Sequence, residues 1–210
     1  MTEQVDLHDL FARAADFKIW RQEILDLHER FGPADFYHSV IELSLEHLGQ
    51  WDFRLNKEKK RRGEVALCVR NSNGTLLLHR KSFYPDNTFR IPTGGIHKDE
   101  SAIEALTREL FEETGFIAES FRFMAFLLYE FRHHQSAVPF VSYIFDVRVA
   151  DAEPRKQDEK EDISGYMWIT PSELEDVITN LQSMQGDRWM EWGTLRAVPH
   201  EIIFTALEKN

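Results

Sequence analysis

Cysteine is almost absent from this chain, which has one, Cys68, among 210 residues. A single cysteine excludes an internal disulfide framework and favours a reducing compartment, so we expect a cytoplasmic protein. No stretch approaches the roughly 20 consecutive apolar residues of a membrane-spanning helix, so we expect no membrane partner. The N-terminus lacks a cationic region followed by an apolar core, which argues against a signal peptide. Cys68 itself lies in the apolar run 65–69, which predicts a buried packing role.

Positive charge is also scarce, because 25 lysines and arginines stand against 36 aspartates and glutamates, and the formal net charge is −11. Such a surface repels phosphate backbones and argues against a nucleic acid polymer as partner. A small phosphorylated compound is not excluded, provided that a local feature such as a bound metal ion reverses the sign. The apolar fraction of 42% indicates a folded globular protein of one domain, or of one domain with a small appendage.

Residues 1 to about 50 are predicted to be helical. Apolar side chains recur at helical spacing at Leu7, Leu10, Phe11 and Ala14, and again at Phe36, Tyr37, Val40, Ile41, Leu45 and Leu48. The stretch 57–62 then holds five bases in six residues. It is either a solvated connector or a cationic collar near a phosphate site.

After Gly63 the pattern becomes that of β-strands. Two apolar runs, 64–70 and 75–80, flank an Asn-Ser-Asn-Gly turn and predict a hairpin. Further strands are predicted at about 121–132 and 139–149, with a short one at 166–169. Helices are predicted at 171–181, where a proline stands near the start, and at about 200–209.

The most informative segment is 94–116. Ser101 and Glu104 have the spacing of a capping box, so a helix is predicted to begin near Ser101 and to end at Gly115. Ile103, Leu106 and Leu110 fall on one side of this helix and should face a sheet. Glu109, Glu112 and Glu113 stand at i, i+3 and i+4, which places their carboxylates on one neighbouring face. Such a cluster offers oxygen ligands to a hard cation such as magnesium.

Three glutamates on a helix face ordinarily do no more than keep that face solvated. The surrounding spacing argues otherwise, because Gly94, Glu100 and the run 108–116, Arg-Glu-Leu-Phe-Glu-Glu-Thr-Gly-Phe, match every fixed position of the Nudix box. The chain therefore resembles the Nudix hydrolase family. One local departure is Pro92-Thr93-Gly94-Gly95, where many family members have proline directly before glycine.

The resemblance implies an α+β fold, an α/β/α sandwich in which a mixed β-sheet lies between helices. The order of the hairpin, the later strands and the segment around Trp168 agrees with it. We expect the Nudix domain to cover residues 63–210 and residues 1–62 to form an N-terminal helical extension. That extension could cap the substrate pocket, build a dimer interface or enlarge the core, and we expect a homodimer.

The resemblance also implies a metal-dependent reaction. Mg²⁺ or Mn²⁺ is expected to be the cofactor, with Glu109, Glu112 and Glu113 as ligands and the carbonyl of Gly94 as a further one. Arg108 is expected to pair with Glu100 and to orient the cluster. The metal would polarise a phosphorus–oxygen bond of a small-molecule diphosphate substrate and activate the attacking water.

The general base and the substrate contacts are less constrained. The acidic loop 158–162 provides Glu161 as the favoured base, while Glu159 and Glu109 remain alternatives. Arg80 and Arg90 flank the hairpin and the following loop and are candidate phosphate ligands, although basic residues at strand ends are commonly only solvated. Phe83, Tyr84 and Phe89 either stack on a nucleobase or pack in the core.

The predicted function is metal-dependent hydrolysis of a nucleoside diphosphate that is linked to another group. The alternative is a Nudix-like domain that binds a nucleotide or sugar ligand without cleaving it. All box glutamates are retained, which favours the enzyme. Isomerisation of an isopentenyl-type diphosphate requires a suitably placed cysteine, and Cys68 inside an apolar strand does not meet that requirement.

Overall fold

The structure is a computed structural model that describes residues 1–13, 21–53 and 61–209. Ala14 and the bases at 57–60, which the sequence singled out, lie outside the described residues. The chain divides into two compact units. The first comprises Met1–Val65, Gly94–Ala105 and Phe123–Ile144, and the second comprises Ala66–Thr93, Leu106–Arg122 and Phe145–Asn210.

The described residues form eight strands and six α-helices, with one 3₁₀ turn. In chain order these are β1 (Thr2–Val5), α1 (Leu7–Arg13), α2 (Arg21–Arg30), β2 (Asp35–Glu42), α3 (Leu45–Phe53), β3 (Gly63–Arg70), β4 (Leu76–Lys81), β5 (Thr93–Ile96), α4 (Ala102–Thr114), β6 (Ser120–His133), β7 (Ser136–Arg148), β8 (Ile163–Ile169), the 3₁₀ turn (Pro171–Glu173), α5 (Leu174–Gln182) and α6 (Asp187–Glu208).

The first unit contains a mixed sheet with the strand order β1-β2-β6-β7. β1 runs antiparallel to β2, whereas β2 runs parallel to β6 along its whole length, from Asp35 opposite Ala125 to Glu42 opposite Arg132. The predicted mixed β-sheet with accompanying helices is therefore confirmed. Because β2 pairs with β6, residues before position 63 share a sheet with residues of the predicted Nudix domain.

The helix predicted around residues 36–48 was wrong over its first half, which is strand β2. Its apolar positions fit a helical period, but they also form an almost continuous run, and β2 is buried on both faces from Phe36 to Ser39. A short apolar run that is buried on both faces gives no period that separates strand from helix. Helices α1, α2 and α3 are present in this region, so residues 1–53 mix both element types.

The second unit contains the strand order β3-β4-β8, in which β4 is antiparallel to both neighbours. The predicted hairpin is confirmed, and its turn places Gly74 at a φ of 78°, a conformation that favours glycine. Helix α5 packs on α6 at Gly193, where a Cβ would lie 2.1 Å from the carbonyl oxygen of Leu181. The remaining predicted strands and helices are confirmed, although α6 begins well before residue 200.

Helix α4 is the helix that the box spacing predicted. At its start the Ser101 Oγ accepts a hydrogen bond from the Glu104 backbone N–H at 3.2 Å, and the Glu104 carboxylate accepts one from the Ser101 N–H at 2.8 Å. This is the predicted capping box. At its end Gly115 adopts a φ of 75° and donates its N–H to the carbonyl of Phe111 at 2.8 Å. Both predicted helix boundaries are confirmed.

Cys68 is fully buried, as predicted from its apolar run. Burial raises the pKa of its thiol to about 12, so the group stays neutral and is unsuited to proton transfer. Among the described helices, none has the length and apolar character needed to cross a bilayer.

Candidate active site

The three box glutamates lie on one face of α4, within the second unit. They differ in exposure, because Glu113 is 1% exposed and Glu109 6% exposed, whereas the Glu112 side chain is 31% exposed. Leu110, on the other side of the helix, is buried in the core. The apolar side thus anchors the helix and holds two carboxylates in a position where their charges are poorly solvated.

Arg108 bridges two of these carboxylates. Its Nη1 donates to Glu109 Oε1 at 2.7 Å and to Glu112 Oε2 at 3.1 Å. The pairing of Arg108 with Glu100 stays a prediction. Glu100 lies in the first unit, where its carboxylate accepts a hydrogen bond from the His97 N–H at 3.0 Å. Gly94 lies in the same unit, buried in β5, and its role as a metal ligand also stays a prediction.

Lys81, at the end of β4, was not identified from the sequence but belongs to this cluster. Its Nζ donates to Glu161 Oε2 at 2.9 Å and lies 3.6 Å from Glu113 Oε1. Strand alternation sends Arg80 and Lys81 to opposite faces, so only one of this basic pair can face the glutamates. The sequence therefore indicated that one of the two bases would face the glutamates. Which one it is depends on the face of β4 that packs against α4, and the sequence does not give that face.

Glu113 has a second neighbour on β4, the fully buried His79. The His79 Nδ1 lies 3.9 Å from Glu113 Oε2. Neither ring nitrogen of His79 nor Glu113 Oε2 has a hydrogen-bond partner among the described residues. Buried polar atoms are rarely left in this state, which makes Glu113 and His79 candidates for contact with a bound group.

Burial dominates the electrostatics of these two groups. It raises the pKa of the Glu113 carboxyl to about 8, although the nearby Lys81 and Arg90 charges act in the opposite direction. Burial also holds the pKa of His79 well below its usual range, so the imidazole is neutral. The pKa of Glu109 is raised by burial as well, against the opposing effect of its bond to Arg108.

The acidic loop before β8 contributes Glu161 to the same cluster. Glu161 is joined to Lys81, and its charge acts on the pKa values of both Glu109 and Glu113. Its backbone carbonyl is fixed by the Lys156 ammonium at 2.9 Å. Glu159, the other candidate in this loop, is 94% exposed and lies 3.9 Å from Lys156. The structure therefore brings Glu161, but not Glu159, towards the box glutamates.

Taken together, this cluster fits a divalent cation. Glu109, Glu112, Glu113 and Glu161 carry four carboxylates against the two cations Arg108 and Lys81, which leaves a formal charge of −2 when all are ionised. All the donors are oxygens, which magnesium and manganese prefer, and Glu113 Oε2 is buried without a partner.

A tighter grouping of candidate ligands occurs at the exposed residues Asp6, His8 and Asp9 of the first unit, whose donor atoms lie within 4.8 Å of one another. There the Asp6 carboxylate already accepts the Asp9 N–H at the start of α1. This local bond accounts for the position of Asp6 as a helix cap. The group has no buried polar atom that lacks a partner, unlike the box glutamates.

The two arginines predicted to contact phosphate differ. Arg90 is 4% exposed, and its Nε donates to the Tyr84 hydroxyl at 2.7 Å. Its Nη1 donates to the carbonyl of Ile91 at 2.9 Å and to the Thr93 hydroxyl at 2.8 Å. Arg90 therefore fixes the chain that leads into the box. Arg80 is more weakly held, 3.9 Å from Asp86, and its buried Nε has no partner among the described residues.

Comparisons with known proteins show which family this chain resembles. The family model described as NUDIX domain matches residues 60–192, well over half of the chain. Phosphatase NudJ of Escherichia coli K12 is 28% identical over 123 residues, which cover 57% of this chain and 74% of that protein.

Two solved structures are also similar. The C. elegans Ap4A hydrolase in a binary complex has a TM-score of 0.47 at 15% identity, covering 70% of this chain and 98% of that one. The NUDIX domain of Shewanella oneidensis NrtR complexed with ADP ribose has a TM-score of 0.47 at 16% identity, covering 76% of this chain and 97% of that one.

Proposed function

This chain belongs to the Nudix hydrolase family and is an enzyme, and on that premise we propose that it hydrolyses a nucleoside diphosphate linked to another group in a metal-dependent reaction. The observation that carries the proposal is the box face of α4. It combines two buried carboxylates, an excess of negative charge and the unpartnered oxygen Glu113 Oε2.

The proposed cofactor is Mg²⁺ or Mn²⁺, held by Glu109, Glu112 and Glu113 with the carbonyl of Gly94. When bound, such an ion neutralises the diphosphate, polarises a phosphorus–oxygen bond and lowers the pKa of a bound water. Arg108 keeps the Glu109 and Glu112 carboxylates in place through its two hydrogen bonds, and we propose that Glu100 assists it. The raised pKa of Glu113 supports this assignment, because burial outweighs the nearby positive charges and a bound cation would stabilise the carboxylate form.

In the proposed chemistry Glu161 is the general base. Its carboxylate takes a proton from the attacking water, the water oxygen forms a bond to one phosphorus, and the bond from that phosphorus to the bridging oxygen breaks. The other phosphate group leaves with the bridging oxygen. Lys81 orients Glu161 through the 2.9 Å bond and partly offsets its negative charge. Glu109, whose carboxylate accepts a hydrogen bond from Arg108, is the alternative base.

Arg80 is the proposed phosphate ligand among the arginines, since its buried Nε has no partner within the described chain. Arg90 is assigned a positioning role because its hydrogen bonds are directed at Tyr84, Ile91 and Thr93.

We further propose a cytoplasmic homodimer with a Nudix domain at 63–210 and an extension at 1–62. Light scattering measures the oligomeric state, and expression of residues 63–210 alone tests the domain boundary.

Turnover of a panel of compounds tests the function. The panel holds ADP-ribose, a dinucleoside tetraphosphate, UDP-glucose and a nucleoside triphosphate, each with Mg²⁺ or Mn²⁺ and with EDTA. Wild type, Glu112→Gln and Glu113→Gln are compared with Glu175→Gln, a control at an exposed glutamate on α5. We expect metal-dependent turnover in wild type and the control, and its loss in both box variants. Tight binding of a compound without turnover under either metal would replace the hydrolase with the ligand-binding alternative.

A further inference from the structure

A cavity of about 450 Å³ opens in the second unit beside the loop that follows β4. Its walls come from that loop and from the junction between α5 and α6. The residues that matter here are Phe83, Tyr84, Asp86, Asn180, Gln185 and Trp189. The volume falls within the range of small-molecule sites. None of the residues assigned to metal binding or to proton transfer lines it.

Aromatic rings form one side of the cavity. Phe83 is 52% exposed, and its ring meets the edge of Tyr84 with centroids 5.0 Å apart. Trp189 meets Tyr84 edge-on at 6.5 Å, and Arg188 lies over the Trp189 ring at 4.9 Å. A half-exposed phenylalanine beside two other aromatic side chains offers a stacking surface for a flat aromatic ring, and such stacking is insensitive to base identity.

Two amides form the polar part of the wall. Asn180 donates its Nδ2 to the carbonyl of Asn87 at 3.4 Å, and Gln185 donates its Nε2 to the carbonyl of Ser183 at 2.9 Å. Within the part of the chain that the structure describes, neither side-chain oxygen has a hydrogen-bond donor. These two oxygens are therefore acceptors for a donor on the ligand, such as an exocyclic amino group.

The lining of this cavity includes the acidic Asp86 and no lysine or arginine. The Asp86 carboxylate is exposed and lies 3.9 Å from Arg80. It offers one more acceptor to the amino group of a nucleobase. The cavity chemistry therefore complements that of the glutamate cluster, which would take the diphosphate through its metal.

The cavity is joined to the glutamate cluster through β4 and Arg90. Phe83 follows Lys81 by two residues, which span at most about 7 Å of chain. The Tyr84 N–H donates back to the carbonyl of Lys81 at 3.1 Å. The Tyr84 hydroxyl accepts from Arg90, whose charge also lowers the pKa of Glu113.

We propose that this cavity binds the nucleobase of the substrate and that the base carries an exocyclic amino group, as adenine does. The base stacks on Phe83 and donates to the side-chain oxygens of Asn180 and Gln185. This inference rests on the proposed function in one respect, namely that the bound base belongs to a substrate of the enzyme. It assigns a recognition site to residues outside the catalytic cluster.

Calorimetric binding of AMP, UMP and ribose 5-phosphate in EDTA tests the inference without any turnover. Wild type is compared with Phe83→Ala and Asn180→Ala. The control is Phe53→Ala, at a phenylalanine of the first unit with 50% exposure, closely matching the 52% of Phe83. Because loss of a base-stacking partner typically costs about 1–3 kcal/mol, we expect Phe83→Ala to raise the Kd for AMP about tenfold, and Phe53→Ala to leave it unchanged.

We expect AMP to bind more tightly than UMP or ribose 5-phosphate, and Asn180→Ala to reduce the preference for AMP over UMP. Equal Kd values for AMP and ribose 5-phosphate, or an AMP affinity untouched by Phe83→Ala, would overturn the inference. Glu112→Gln should retain AMP binding. Cavity-dependent AMP binding without turnover of any compound would refute the hydrolase alone, whereas turnover without such binding would refute the nucleobase site alone.

Discussion

Two clusters of carboxylate and arginine in this molecule have opposite character. In the first unit, Glu23 Oε1 accepts hydrogen bonds from Arg62 Nη2 and from the Ala102 N–H, each at 2.8 Å. Its other oxygen accepts from the Tyr143 hydroxyl at 3.0 Å. Arg62 also donates to the carbonyl of Glu100 at 2.9 Å. Both oxygens of this half-buried carboxylate have a donor.

The box face of α4 in the second unit is built from the same residue types but is left incomplete. Glu113 Oε2 and both nitrogens of His79 are buried without a hydrogen-bond partner among the described residues. Burial raises the pKa values of Glu109 and Glu113, whereas both oxygens of Glu23 accept hydrogen bonds. In a structural network all the polar atoms have hydrogen-bond partners within the protein, whereas polar atoms without such partners are typical of a binding site.

Removing a carboxylate from the incomplete cluster is expected to have the largest effect. Glu113→Gln should lower kcat/KM by about 1000-fold, because losing a metal ligand forfeits several kcal/mol of charge stabilisation. Steady-state kinetics at saturating Mg²⁺ measures this. A variant that retains activity within a few-fold of wild type would remove Glu113 from the site.

Removing a carboxylate from the closed network should act on stability. Glu23→Ala leaves the Arg62 guanidinium, the Tyr143 hydroxyl and the Ala102 N–H without their acceptor, at a site where the Glu23 and Arg62 side chains are 14% and 10% exposed. We expect the free energy of unfolding to fall by about 3 kcal/mol, as is typical for breaking a buried pair. Urea denaturation measures it, and Glu23→Gln, which keeps one acceptor oxygen, should lose less.

The pH dependence of stability should separate the two clusters further. Between the ordinary pKa of 4.5 and about 8, Glu113 keeps a proton in the folded state that the unfolded chain has released. Metal-free wild type should therefore lose stability as pH rises from 5 to 8, by about 3 kcal/mol from this group. Glu113→Gln should remove that loss. Denaturation in EDTA at several pH values tests this, and identical profiles for both proteins would contradict it.

The smallest expected effect concerns the cap of α4. Ser101→Ala removes the acceptor of the Glu104 N–H and should lower the free energy of unfolding by about 1 kcal/mol. Thermal denaturation with and without Mg²⁺ checks it. We expect Ser101→Thr, which preserves the hydroxyl, to stay near wild type, so a full loss in that variant would contradict the capping explanation.

Local signals predicted α4, because a capping box, an apolar stripe and a terminal glycine all lie within one short segment. They also predicted the hairpin and the later strands. The strand β2 was missed because burial on both faces removes the alternation that identifies a strand. Residues 35–42 form a strand because they pair with β6, and this long-range pairing cannot be predicted from the local sequence pattern.

The site was only partly predictable for a similar reason. The box spacing singled out the three glutamates as candidates, and the acidic loop suggested Glu161, which the structure brings beside Lys81. Lys81 and His79 were missed because their role depends on which face of β4 meets α4. Arg90 was singled out for its charge, yet its Nε and Nη1 donate to the hydroxyls of Tyr84 and Thr93 within the protein. The charge of a residue does not predict such internal hydrogen bonds.

The most direct test of the central claim is calorimetric binding of Mn²⁺ to the metal-free protein, independent of any substrate. Wild type is compared with Glu112→Gln, Glu113→Gln and Asp9→Asn, the last altering the exposed acidic group near α1. We predict that the two box variants raise the Kd for Mn²⁺ at least about tenfold, while Asp9→Asn leaves it unchanged. Loss of binding in Asp9→Asn alone, with the box variants like wild type, would contradict the account.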